Sequence, residues 1–243
     1  MKYAVVIPAR YQSSRFPGKP LIDLCGKPMI QHVWERCCAA VGEEFVYIAT
    51  DSKKIESVCT DFGAQVIMTS SNCMTGTDRL AEANKILQAD FIVNVQGDEP
   101  LINPSDICEV INTYKNNPNT IVNAMCKIES EDDFRSFTVP KVVVSKSNKL
   151  LYMSRSAIPL SKVNQFHFAY KQVCIYAFSK FHLEFFATYK AKTEIEEVED
   201  IEILRFLEND ITVQMIEVDS SSFAIDIPED IPRVIDKLNC TVK

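Results

Sequence analysis

The 243-residue chain is 47% hydrophobic and 24% charged, an ordinary globular composition, and is long enough for one large domain with its own core. Its 33 acidic against 26 basic residues give a net charge of -7, which excludes the broadly basic face that a nucleic-acid polymer needs. No apolar run approaches the roughly 18 residues of a membrane span, and the start, Met1 to Pro8, turns polar too soon for a signal peptide.

Apolar runs alternate with amphipathic stretches from the first residue. Strands are expected at 4–7, 45–49, 65–68 and 91–95, and helices at 29–40, 55–62, 77–87 and 106–114. Fully apolar strands alternating with helices point to a mostly parallel sheet covered on both faces, an α/β fold. The second half changes character. Strands at 142–144, 150–153 and 172–178 follow one another without long helices, which suggests an antiparallel insertion. A strongly helical stretch over 196–207 comes next, within a helix expected from Thr193 to Asn209, then a strand at 212–217 and a helix at 228–238. With no repeat and no linker, residues 1–243 form one domain with a smaller mixed lobe inserted at about 130–195.

Nine scattered cysteines, an odd number without a CxxC pair, fit free thiols in a reducing cytoplasm. Three dispersed histidines are too few for a zinc site. Of the six glycines, Gly42 and Gly63 suit helix C-caps, and Gly18, Gly26, Gly76 and Gly97 fall to loops. Neither GxGxxG nor a Walker loop is present, so any phosphate is held by another device.

The loop after the first strand offers one. From Arg10 to Lys19 it carries Arg10, Arg15 and Lys19, no acid, and the hydroxyls of Ser13 and Ser14. It leaves the carboxyl end of a strand, where α/β sheets bind ligands, and its donors suit phosphate oxygens. The same residues read equally well as a solvated basic loop. After the strand at 91–95, Gly97 permits close approach and Asp98 projects at the sheet edge, as a Mg²⁺ carboxylate or as a turn acid capping the next helix. Asp226 is open to the same two readings, while Glu229 and Asp230 suit the first turn of a helix opened by Pro228.

Taken together these segments resemble a known family. Ile7-Pro8-Ala9-Arg10, Ser14-Arg15-Phe16-Pro17-Gly18-Lys19-Pro20-Leu21, Gly26-Lys27-Pro28-Met29-Ile30, Ala49-Thr50-Asp51, Gly76-Thr77-Asp78-Arg79-Leu80-Ala81-Glu82, Asn94-Val95-Gln96-Gly97-Asp98-Glu99-Pro100, Tyr152-Met153-Ser154-Arg155 and Asp226-Ile227-Pro228-Glu229-Asp230 follow in order, as in the 3-deoxy-manno-octulosonate cytidylyltransferases. The resemblance implies a Rossmann-like nucleotidyltransferase fold and transfer of CMP from CTP to an acidic 3-deoxy sugar, releasing pyrophosphate for lipopolysaccharide or capsule synthesis. It further implies Mg²⁺ and a cytoplasmic homodimer joined partly through the smaller lobe.

Carried onto this chain, the resemblance makes Arg10, Arg15 and Lys19 a triphosphate clamp, with Ser14 beside it. Ala9, Gly76 and Arg79 would contact cytosine, and Asp98 and Asp226 would hold the metal. Gln96, Arg155, Gln172 and Tyr176 would line the sugar-acid site, with Glu196 and Glu199 near it. The acceptor half departs from the family pattern. Gln172 stands in place of a histidine, and Thr193-Glu194-Ile195-Glu196 in place of Ser/Thr-Pro-Leu-Glu. Glutamine keeps a donor and an acceptor but cannot become cationic. Neutral drift and a related acceptor, such as an amino-deoxy sugar or another ulosonate, are both open, as is a phosphonate. A nucleotide-binding regulator without turnover is a third reading, which the retained clamp and acids oppose.

Overall fold

The computed structural model describes residues 1–12, 16–219, 222–225 and 227–241, the last three as backbone. In chain order the elements are β1 (Tyr3–Ala9), β2 (Asp23–Leu24), β3 (Lys27–Pro28), α1 (Met29–Val41), β4 (Val46–Thr50), α2 (Lys53–Asp61), β5 (Gln65–Met68), α3 (Gly76–Leu87), β6 (Phe91–Val95) and α4 (Pro104–Asn116). Then follow β7 (Ile121–Lys127), α5 (Glu131–Arg135), β8 (Lys141–Val144), β9 (Leu150–Ser154), β10 (Tyr170–Ser179), α6 (Lys180–Phe186), α7 (Glu194–Glu199), α8 (Leu204–Leu207), β11 (Val213–Glu217) and α9 (Ile231–Thr241).

The main sheet has the order β11-β7-β10-β6-β1-β4-β5, with β8 joined to β10 and β9 to β8. Neighbours pair parallel except β10, which runs antiparallel between β6 and β7. Side chains alternate across the sheet, so Val5 and Ile7 of β1 face α1 and α4, while Ala4 and Val6 face α3 and α6. Helices on both faces explain why β6 is buried along its whole length. The mixed α/β sandwich with a mainly parallel sheet agrees with the sequence reading.

The differences lie in the second half. A central strand, β7, has no counterpart among the expected elements, and neither has α6. Asn123 interrupts the apolar run of β7, yet it is fully buried, because its amide replaces missing ladder partners where β10 bulges. Its Nδ2 donates to the carbonyls of Val173 (3.0 Å) and Ile175 (2.9 Å). Within the segment 130–195, β8 and β9 extend from the start of β10, while β10 itself crosses the main sheet.

The single helix expected from Thr193 to Asn209 is two short ones. The chain breaks at Asp200, which caps α7 in the left-handed region at φ 51. Nor is the acidic run only a solvated face. Glu196 and Arg205 are fully buried and form a bidentate pair at 2.6 and 2.7 Å, with Arg205 stacked 3.6 Å over the Phe186 ring. Gly76 opens α3 rather than sitting in a loop. Glu196→Ala would strand a buried guanidinium, so urea unfolding should show a stability loss of about 3–5 kcal/mol.

Candidate active site

Because β1 and β6 pair in parallel, the loops that follow them leave the same edge of the sheet. The first loop closes on itself where Gly18 N–H donates to the Tyr11 carbonyl at 2.8 Å, and Gly18 takes a left-handed φ of 75. That turn delivers Lys19, whose Nζ lies 2.8 Å from Oδ2 of Asp98 at the end of β6. The other carboxylate oxygen, Oδ1, is buried with no hydrogen-bond partner among the described residues. Gly97 lets the two strand ends approach, since a Cβ there would stand 3.2 Å from the Pro8 carbonyl oxygen.

A cleft of about 280 Å³ opens beyond these ends, with Ala9, Arg10, Lys19, Gly76, Arg79 and Asp98 on its walls. Arg79 is buried, donates to Thr69 Oγ1 at 2.5 Å and stands 3.6 Å from Asp51. The N-terminus of α3 forms the far wall, capped reciprocally by Thr75 and Asp78. Glu202 adds a second cap from 126 residues away. Its carboxylate accepts from Gly76 N (2.9 Å), Thr77 N (2.8 Å) and Thr77 Oγ1 (2.5 Å). Burial pushes the Glu202 carboxyl up, against these hydrogen bonds. Lys192 supplies a further cation, 2.6 Å from Asp200; burial opposes its charge, but Asp200 prevails and raises its pKa.

A second cleft of about 340 Å³ shares Gln96, Asp98, Asp200 and Glu202 with the first. Arg155, Lys171, Gln172 and Tyr176 also line it. The guanidinium of Arg155 is fixed by the carbonyls of Glu199 (2.6 Å), Phe137 (3.1 Å) and Asp200 (3.1 Å). Glu199 turns its carboxylate away from the cleft, accepting from Tyr152 Oη (3.2 Å), Ser154 Oγ (2.6 Å) and Arg155 N (2.9 Å). Gln172 Nε2 donates to Asn123 Oδ1 at 3.2 Å. Tyr176 is buried, which raises its pKa well above that of a free phenol. Glu99, also raised by burial, takes the Cys174 N–H at 2.9 Å.

The structure therefore gathers Ala9, Arg10, Lys19, Gly76, Arg79, Gln96 and Asp98 around one cleft, and Arg155, Gln172 and Tyr176 around its neighbour. Glu196 and Glu199 line neither: one pairs with Arg205 and the other orients Arg155. Ser14, Arg15 and Asp226 lie outside the described residues, although Ile225 N–H donates to the Asp98 carbonyl at 2.9 Å. Lys192 and Glu202 were missed by sequence reasoning. Lys192 sits in an unpatterned polar stretch, and Glu202 was lost in an acidic run whose folding back onto α3 no local signal announces.

This architecture is that of an α/β nucleotidyltransferase. A cytidylyltransferase from Leptospira borgpetersenii shares the fold at a TM-score of 0.61 and 16% identity, over 99% of this chain and 96% of that one. The chain belongs to the cytidylyltransferase family, whose sequence profile matches residues 4–216. It is 40% identical over 251 residues to the 3-deoxy-manno-octulosonate cytidylyltransferase of Geobacter metallireducens, covering 98% of each. It is also 39% identical over 243 residues to the 8-amino-3,8-dideoxy-manno-octulosonate cytidylyltransferase of Shewanella sp. (98% and 99% covered). A CMP:2-keto-3-deoxy-manno-octonic acid synthetase solved with CTP matches with a TM-score of 0.90 and 35% identity, over 99% of this chain and all of that one.

Gly97→Ala should push the two strand ends apart. Thermal unfolding should report a loss of about 1–3 kcal/mol, and turnover should fall further than that loss explains because Lys19 and Asp98 are separated.

Proposed function

We propose that the chain transfers CMP from CTP to the anomeric hydroxyl of a 3-deoxy sugar acid, with 3-deoxy-manno-octulosonate as the leading acceptor, and releases pyrophosphate for lipopolysaccharide or capsule synthesis. The observation that carries this reading is the meeting of two clefts at Gln96, Asp98 and Glu202, beside the Lys19–Asp98 pair. One cleft is walled by cations suited to a triphosphate, the other by polar groups suited to a sugar acid. Its relatives of known name support the same donor and acceptor.

Asp98 and Lys19 neutralise each other as the structure stands. A triphosphate entering the cleft draws Lys19 and Arg10 to its oxygens, and Lys192 stands by to join them. Lys19 is then placed to offset charge that develops on the departing pyrophosphate. Asp98, released from its lysine, exposes a carboxylate whose Oδ1 has no hydrogen-bond partner among the described residues. One such carboxylate fits Mg²⁺, which takes one or two acids and completes its shell with water and phosphate oxygens. Among the described residues no cluster of three or more metal-binding side chains exists. Asp98 would hold the ion, with Asp226 as the second ligand that the family resemblance implies. Bound there, Mg²⁺ supplies Lewis-acid stabilisation of the α-phosphate and eases deprotonation of the attacking hydroxyl. Gln96 lies where the clefts join and orients the acceptor towards the α-phosphorus.

The surroundings of Gln172 accommodate the amino-sugar acceptor as a second reading. Both N–H groups of Asn123 are spent on the β10 bulge, so its Oδ1 can only accept, and Gln172 must donate to it through Nε2. The Gln172 carbonyl is left to accept a bond from the acceptor, which suits a hydroxyl or an ammonium group. An acceptor panel ranked by kcat/KM separates the two sugars.

On the same proposal the enzyme works in the cytoplasm as a homodimer joined partly through the segment 130–195, where Phe137, Val163 and Phe168 expose 74, 69 and 64% of their surface. No described helix is long and apolar enough to cross a membrane. With CTP, Mg²⁺ and 3-deoxy-manno-octulosonate the protein should release pyrophosphate; background release with every 3-deoxy sugar acid would overturn the proposal. Lys19→Ala should retain the fold by circular dichroism and lose about 10²–10³-fold in kcat. Asp98→Asn should abolish Mg²⁺-dependent turnover, and an unchanged response to metal would remove Asp98 from the metal site.

A further inference from the structure

Lys141, the first residue of β8, has no solvent exposure at all. Its Nζ donates to three backbone carbonyls, those of Ser136 (2.7 Å), Val139 (2.6 Å) and Arg155 (2.5 Å). An ammonium has three N–H groups, and here each has one carbonyl. No carboxylate is among its hydrogen-bond partners. Ser136 and Val139 belong to the loop that walls the second cleft, and Arg155, which lines the same cleft, donates to the Phe137 carbonyl of that loop at 3.1 Å. The loop's far end is tied to β10, where Gln172 N–H donates to the Pro140 carbonyl at 3.0 Å. One buried cation thus ties a wall of the cleft to the strand end that carries its arginine.

We infer that Lys141 is a positioning residue for acceptor binding: its ammonium holds the 136–140 loop against Arg155 and so sets the wall that meets the acceptor. The inference rests on reading the second cleft as the acceptor's. In Lys141→Met the side chain offers these carbonyls no donor, so the tie is lost. Burial, and then the neighbouring Arg155, bring the Lys141 pKa down from 10.5 to about 8, with Glu199 opposing. Lys171, its register partner on β10, turns its own ammonium to the Ser222 carbonyl at 3.2 Å. The charges of α5 are directed elsewhere, Arg135 to Glu131 and Asn164, and Asp133 towards Arg233.

Between about pH 8 and 10.5 any state that exposes Lys141, whether an opened loop or the unfolded chain, binds the proton that buried Lys141 has lost, so rising pH favours the closed wall. The experiment is the pyrophosphate assay on the wild type, Lys141→Met and Lys141→Arg, at saturating CTP and then at saturating acceptor. In Lys141→Met the acceptor KM should rise about tenfold, as expected for a lost hydrogen bond, while the KM for CTP stays level, and Lys141→Arg should recover part of the loss. A wild-type acceptor KM in Lys141→Met, or an equal rise in both KM values, overturns the inference. If Lys141→Met does not fold, hydrogen exchange of the wild-type loop decides. If no sugar acid is turned over, the functional reading has failed on its own account. Hydrogen exchange of residues 136–140, corrected for intrinsic rates, then decides: protection that rises above pH 8 supports the tie through Lys141, and protection that is unchanged or falls refutes it.

Discussion

The parallel pairing of β1 with β6 is the constraint on which the site depends. It sets Ala9 and Arg10 beside Gln96 and Asp98 at one edge of the sheet, although more than 80 residues separate them in the chain. Opposite charges are brought together before any ligand arrives, and Gly97 keeps the gap narrow enough for Lys19 to reach Asp98. The cleft then has cations from one strand end and a carboxylate from the other. A triphosphate with its counter-cation needs both signs within a few ångströms, a demand that a single loop of uniform charge cannot meet.

Glu202 performs the second assembly step. By occupying the first N–H groups of α3, it ties the turn after α7 to the nucleotide side of the site and makes one residue a wall of both clefts. A helix N-terminus is commonly left open to an anion. Here the chain supplies the anion itself, so α3 contributes shape and placement, and under the proposed function phosphate falls to the cations of the first cleft. The buried Arg205–Glu196 pair stabilises the same turn from beneath.

Much of this was legible in the amino-acid sequence wherever periodicity and motif agreed. β5 and β6 fall on the expected residues, and Arg10, Lys19, Asp98 and Arg79 are found on the expected cleft. What escaped was governed by tertiary partners. β7 did not read as a buried strand because Asn123 breaks its pattern, and the reason for that asparagine is a bulge in another strand. The run from Glu194 to Glu202 looked like one solvated helical face, since nothing local distinguishes Glu196, which meets Arg205, from Glu197, which does not. Net charge was equally uninformative about the site, because an average of -7 conceals a loop with three cations and no acid.

The antiparallel strand inside the main sheet gives the molecule a particular evolutionary latitude. β10 is held on both sides by backbone bonds that are indifferent to side-chain identity, and at its bulge the missing bonds are supplied by Asn123 rather than by β10's own residues. Its cleft-facing positions, Gln172, Cys174 and Tyr176, can therefore be exchanged without dismantling the sheet. The donor half enjoys no such freedom, because there close backbone approach and paired charges are themselves the machinery. If the two clefts divide acceptor from nucleotide as proposed, a chain built this way can be retargeted to new acceptors by changing a few side chains along one strand, while its chemistry with the nucleotide stays as it was.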